Sequence, residues 1–405
     1  MRITKRAWLA VGAVLVMGVV GQILAQDWPQ WRGPGRNGKA EFKAPEAWPK
    51  ELAETWRVTV GAGDSSPVLA GEKVYIFTRV GDAEVTQCLN AADGKEVVWS
   101  DKNAVEAITG PPAREHSGPR ATPALAAGKI VTLGVQGTLS CLDAAKGTVV
   151  WRKDEIKGTP RFFAASSPLI AEGLVIAQLG SENSGAIVAY DLASGTEKWK
   201  CPEGPAYSSP VLATIGGVKQ VVAMTSGKIV GVALADGKLL WQIPFVPQGR
   251  AYNAATPVVD GATVIFTGGG RGTQAVKIAK SDEGFAVEQL WSNPLAAAFS
   301  TPILKDGMVY GSSEKGELFC LNAKDGQTVW THSAGLGGYA AIVDLGSAIL
   351  ALPNTGEMVV FKPGTEYAEL GKYKVGVRGT FACPAVSGNR IFVKDKDSLV
   401  LWTVQ

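Results

Sequence analysis

Apolar and polar positions along this chain fall into short blocks that repeat. A Ser/Thr-Pro pair opens an apolar run at Pro67, Pro123, Pro168, Pro210, Pro257 and Pro302. Cys383-Pro384 is a seventh copy, and Ala341 in YAAIV stands where an eighth proline would fall. Runs such as VYIFTRV, KIVTLGV, GLVIAQL, TVIFTGG, GMVYGSS and RIFVKD follow, rich in β-branched and aromatic residues and bounded by Gly, Asp and Lys, the pattern of strands. A turn of the A-x-x-G type then precedes a strand ending in Trp, at Trp99, Trp151, Trp199, Trp241 and Trp330. Trp291 ends a looser copy and Tyr373 holds the place in the seventh. A period of about 40–47 residues predicts a β-propeller with one four-stranded blade per repeat.

The count of landmarks is eight. Trp56, in AETWRVTV, precedes the first proline and has no blade of its own, and the last copy ends at LVLWTVQ without a fourth strand. The expected fold is therefore all-β: an eight-bladed β-propeller of four-stranded antiparallel blades, its ring closed by an N-terminal strand near residues 54–60, which leaves no long open edge. A tryptophan on each outer strand is expected to wedge between blades. The expected organisation is a signal peptide over 1–25, an extension over 26–53 and the propeller over 54–405. Trp28, Trp31 and Trp48 are expected to pin the extension against the ring.

Spacing distinguishes the two faces. The interval from the tryptophan landmark to the next proline is 11 residues in five copies, and 24, 17 and 16 after Trp99, Trp151 and Trp241. These connections share a face with the turns between second and third strands. The opposite face carries tight turns such as LAGEK and LKDG. Insertions confined to one face mark it as the binding face.

Composition adds the compartment. Arg2, Lys5 and Arg6 precede an apolar stretch from Ala7 to Gly21, and Ile23 and Ala25 suit cleavage before Gln26. The chain is expected to be exported to the periplasm, cell envelope or medium, with no membrane span after cleavage. No Cys lies near the cleavage site, so no lipid anchor is expected there. Loss of the three basic residues takes the formal charge from +3 to zero, which leaves no footprint for nucleic acid. The five cysteines read as small buried fillers. Cys88, Cys141 and Cys320 occupy one repeated position, too far apart between blades for disulfides.

The repeats resemble the PQQ-like (quinoprotein-type) β-propeller family, carried by the Ser/Thr-Pro starts and blocks such as CLNAADGKEVVW and CLNAKDGQTVW. The opening DWPQWRGPGRNG, with HSGPRATPAL at 116–125, is similar to a secreted bacterial subset of planctomycete type. The resemblance implies the propeller over about 54–405. Its members include quinone-dependent alcohol and glucose dehydrogenases and a propeller lipoprotein of outer-membrane β-barrel assembly, which binds no quinone. The chain departs from both: it has no Cys-Cys pair and no CxxCH, and Gln26 stands where a lipobox Cys would.

No catalytic residue or metal ligand is assigned. The candidate ligand face carries His116, Arg120, Asn183, Tyr207, Arg250, Asn253 and Arg271, with Asp64, Arg161, Tyr339 and Arg378 at similar places and Arg114 and Glu115 beside His116. Convergent arginines would favour an anion, although each could instead bond loop carbonyls. His116 next to Glu115 could serve as a base. The recurring Asp93, Asp143, Asp191, Asp236 and Asp325 read as turn-formers. The first expectation is a non-catalytic, monomeric platform without cofactor, taking a protein, glycan or small anion at its loop-rich face. The alternative is a PQQ-dependent dehydrogenase with calcium and an atypical site.

Overall fold

The computed structural model describes residues 27–106, 108–110, 116–249 and 251–405. Within them, eight four-stranded antiparallel sheets follow one another around a ring. The first seven blades lie at 68–104, 124–153, 169–201, 211–244, 258–293, 303–333 and 340–374, with strands in sequence order from the channel outward. The eighth combines Ala385–Ser387, Arg390–Lys394 and Ser398–Thr403 with Ala53–Thr59, which pairs antiparallel with the last of these and closes the ring. The sequence expectation of eight blades and an N-terminal closing strand is met.

Two repeated contacts explain the repeated residues. The first joins neighbouring blades near the channel. The backbone N–H of Ser66 donates to Thr122 Oγ1 (3.2 Å), that of Thr122 to Ser167 Oγ (2.9 Å), and that of Ser167 to Ser209 Oγ (2.9 Å). The series continues from Ser209 to Thr256 Oγ1 (2.9 Å) and from Thr256 to Thr301 Oγ1 (3.0 Å). The hydroxyl before Pro123, Pro168, Pro210, Pro257 and Pro302 thus satisfies a buried donor of the blade before it. The proline adds no N–H to the unpaired edge facing the channel and holds its predecessor extended. Where Ala340-Ala341 replaces the pair, the Ala340 N–H donates back to Ser300 Oγ (3.0 Å).

The second contact lies at the periphery. Nε1 of Trp56, Trp99, Trp151, Trp199 and Trp291 donates to the carbonyl of Ala91, Ala144, Leu192, Leu234 and Ala323 in the next blade, at 2.8–3.2 Å. Each acceptor is three residues before a turn glycine on which the same indole packs. A Cβ at Gly94, Gly147, Gly195, Gly237 or Gly326 would lie 2.3–2.7 Å from that ring. The turn Asp side chains cap the same turns: Asp143 Oδ1 accepts from Ala145 and Lys146 N–H, and Asp191 Oδ1 from Ala193 and Ser194 N–H. All five cysteines are buried and free.

The extension does more than pin itself to the ring. Trp28 pairs through its backbone with Leu69 (3.0 and 2.9 Å), Pro29 O accepts from Leu125 N–H (2.8 Å), and Asp344 N–H donates to Gly38 O (2.8 Å). Residues 28–38 therefore cross the tight-turn mouth of the channel. Among the described residues no helix is long and apolar enough to cross a membrane. The leader assigned to residues 1–25 lies outside them.

Candidate functional site: the cup in the central channel

With one mouth crossed by the extension, the channel becomes a cup of about 530 Å³ facing the loop-rich side. Trp31 and Arg32 form its floor. Above them comes the tier of hydroxyls Ser66, Thr122, Ser167, Ser209, Thr256 and Thr301. The next tier is the residue three places before each landmark: Asp64, Arg120, Ala165, Tyr207, Ala254, Phe299, Gly338 and Phe381 all line the cup. Eight-fold repetition thus brings eight positions to one level and fills them with six residue types, from Gly and Ala to Phe, Tyr, Asp and Arg.

Most of the wall is aromatic. Tyr252 contacts Tyr207, Phe162 and Phe299 at centroid distances of 5.0, 5.2 and 5.3 Å. Opposite them, Phe381 contacts His116 at 4.7 Å and Tyr339 at 5.6 Å. Burial raises the pKa of the Tyr207, Tyr252 and Tyr339 phenols, so they stay neutral.

Beyond the hydroxyl tier, charged groups are few and mostly committed. His116 Nδ1 meets Asp64 Oδ2 at 2.6 Å. Arg120 donates to His116 O (3.1 Å) and Phe162 O, its Nε has no partner, and burial lowers its pKa. At the floor, Arg32 Nη2 donates to Pro302 O (3.0 Å), and beside it Arg36 donates to Pro168 O (2.9 Å) and Ser167 O (3.0 Å). Both guanidinium carbons lie 5.4 Å from the Trp31 ring. Burial without a carboxylate partner lowers Arg32 to about 10 and Arg36 to about 9.

A second compartment of about 360 Å³ adjoins the cup and shares Phe162, Tyr207 and Tyr252 with it. Arg161, Glu182, Asn183 and Asn253 line it. Glu182 Oε1 accepts from Tyr207 Oη (3.3 Å) and from Arg161 N–H (3.2 Å).

The structure thus brings His116, Arg120 and Tyr207 together in the cup, and Tyr207, Asn183 and Asn253 in the side compartment. The expected convergence of arginines is only partly realised. Arg271 lines neither space: it donates to Phe245 O (2.9 Å) and Asn253 Oδ1 (2.8 Å) with its guanidinium 4.0 Å from the Phe245 ring. Asn253 in turn donates to Thr225 O (2.8 Å) and Phe245 O (3.1 Å), so both side chains hold the loop. Arg378 is exposed and lines neither space. Arg250, Arg114 and Glu115 lie outside the described residues. The position-minus-three register would have found Phe299 and Phe381. The Arg32 and Arg36 pair was signalled only by its Gly-Pro-Gly setting in RGPGR.

The donor set does not suit a calcium-bridged quinone. Among the described residues no three His, Cys, Asp or Glu side chains gather. The one carboxylate among the described residues lining the cup, Asp64, is engaged by His116, whereas calcium takes six to eight oxygens.

A family model described as outer membrane protein assembly factor BamB matches residues 81–332, more than half of the chain. The chain belongs to this family. The outer membrane protein assembly factor BamB of Xanthomonas campestris pv. campestris is 36% identical over 259 residues, which are 60% of this chain and 61% of that protein. The match therefore spans less than two thirds of that relative's length. The crystal structure of BamB from Moraxella catarrhalis superposes with a TM-score of 0.63 at 17% identity, covering 87% of this chain and 99% of that one. A quinohemoprotein alcohol dehydrogenase from Pseudomonas putida gives 0.67 at 12% identity, covering 93% and 80%. At such identities both likenesses concern the fold alone.

Proposed function

We propose that this chain is a non-catalytic binding platform of the cell envelope that docks a protein partner of outer-membrane assembly on its loop-rich face. In this reading residues 54–405 are the propeller, 26–53 its extension and 1–25 an export leader. One observation carries it. Val80 (49% exposed), Val246 (66%), Phe299 (41%) and Val377 (47%) all lie on the loop-rich face. Among the described residues, the other exposed large apolar side chains lie on strands, none on the tight turns opposite. Exposed apolar side chains at the loop-rich end and none at the tight turns favour that end as the interaction surface. The family, whose relatives bear the name of assembly factors, supports the same reading.

Photo-crosslinking in the native host tests it, with a photoreactive residue at Val246 or Val377 and, as controls, at Gly261 or Asp306. The expected result is a discrete crosslinked species from the first pair only, identified by mass spectrometry as an outer-membrane assembly component. Crosslinks from the control positions alone, or from neither pair, would overturn the proposal.

A further inference from the structure

The cup is too deep and too differentiated to be explained by a protein docking over its rim. We propose that the cup and its side compartment form a binding site for an acidic oligosaccharide, with one sugar ring over Trp31 and the next along Arg161 and Asn183. This goes beyond the docking reading and does not depend on it.

Shape comes first. Volumes of about 530 and 360 Å³ both fall within the range of small-molecule sites, roughly 300–1,000 Å³. They share an aromatic partition, which suits a chain of rings better than a single compact molecule.

The surfaces match sugar chemistry. Trp31 offers an indole as floor, and the Tyr252 cluster a wall. The faces of such rings are electron-rich and attract the partly positive C–H groups on the flat side of a pyranose. Between floor and wall stand the hydroxyls of Thr122, Ser167, Ser209, Thr256 and Thr301. Each uses a lone pair to accept an N–H from the preceding blade. None donates its own hydrogen within the described residues, so each retains an O–H for a ligand. A ring of donors suits an acceptor-rich guest.

Charge selects the acid. Arg32 and Arg120 line the cup and Arg36 stacks on its Trp31 floor; among the described residues all three bond backbone carbonyls and one glutamine and no carboxylate. Asp64, the one carboxylate among the described residues that line the cup, is held by His116. The excess is positive, and low-dielectric walls focus it on the cup. In the side compartment the Glu182 carboxylate is occupied by Tyr207 Oη and the Arg161 N–H, whereas the Arg161 guanidinium lies 5.3 Å from the Phe162 ring and makes no hydrogen bond among the described residues. It is placed to meet a second carboxylate in two-point fashion.

Calorimetric titration of the purified protein with trigalacturonate tests the site, with galacturonate, maltotriose and 1-naphthoate as comparisons. Saturable one-to-one binding of the acidic trisaccharide is expected, at least tenfold tighter than maltotriose. Trp31→Ala should weaken trigalacturonate at least tenfold. Arg161→Gln, at an exposed position that leaves the fold intact, should weaken trigalacturonate several-fold and leave galacturonate unchanged. The proposal fails if no acidic sugar binds at millimolar concentration, or if Arg161→Gln has no effect on the trisaccharide. It also fails if naphthoate binds as tightly as trigalacturonate, which would make the cup a site for small aromatic acids.

Discussion

The hydroxyl before each landmark proline shows how one side chain serves fold and site together. Thr122 accepts the buried Ser66 N–H at 3.2 Å and lines the cup. Thr122→Val keeps the shape but strands that donor, at a cost of about 1–3 kcal/mol. Thermal unfolding should show a melting point lower by a few degrees, and an unchanged melting point would deny the contact its role. Lys394 is a second case. Its Nζ donates to Gly63 O (3.1 Å) and Asp395 O (2.6 Å), and burial lowers it to about 8 despite Asp64 and Asp395 nearby. Below pH 8 both folded and unfolded chains hold the proton, and burying the charge costs roughly 3 kcal/mol. Between pH 8 and the unfolded value near 10.5, the folded chain releases the proton first, so this cost is relieved as pH rises. Lys394→Met removes the titration. The melting-point difference, wild type minus variant, should therefore become more positive from pH 7 to pH 9.5, and a flat difference would contradict the assignment.

At the scale of the element, the unit is a tryptophan of one blade seated on the turn glycine of the next. Gly195 has φ +71° and its added Cβ would lie 2.7 Å from Trp151, whereas Gly173 has φ +78° and open space. Both Ala variants carry the left-handed backbone strain, about 1 kcal/mol. Gly195→Ala adds overpacking, typically about 1–3 kcal/mol. Chemical denaturation should rank Gly195→Ala as clearly less stable than Gly173→Ala, and equal losses would show that the indole contact contributes nothing. These contacts also explain what was legible. Strand number, blade number and closure at Trp56 followed from residues every blade must repeat. The site was legible only to the backbone. Spacing located where Arg120, Tyr207 and Arg271 enter the loop-rich face, but not that the long Arg271 side chain turns back to Phe245 O and Asn253. The extension repeats nothing, so the role of Trp31 as cup floor had no internal copy to reveal it.

For the whole molecule, a ring of similar blades becomes a directional object because one segment breaks the symmetry. The extension crosses one mouth, with Arg32 and Arg36 in left-handed backbone conformations (φ 57° and 53°) and their guanidinium groups stacked on Trp31. Such strain persists only where the surroundings over-determine it, here by guanidinium bonds to carbonyls of the third and sixth blades' inner edges. What remains open is the face with long connections and exposed Val246 and Val377. Photo-crosslinking from Val246 and Val377 against Gly261 and Asp306, in the native host, tests this directionality most directly. A discrete partner of outer-membrane assembly is expected from the loop-rich positions and none from the tight turns. A partner captured from the tight turns alone would place the working surface on the wrong side of the ring.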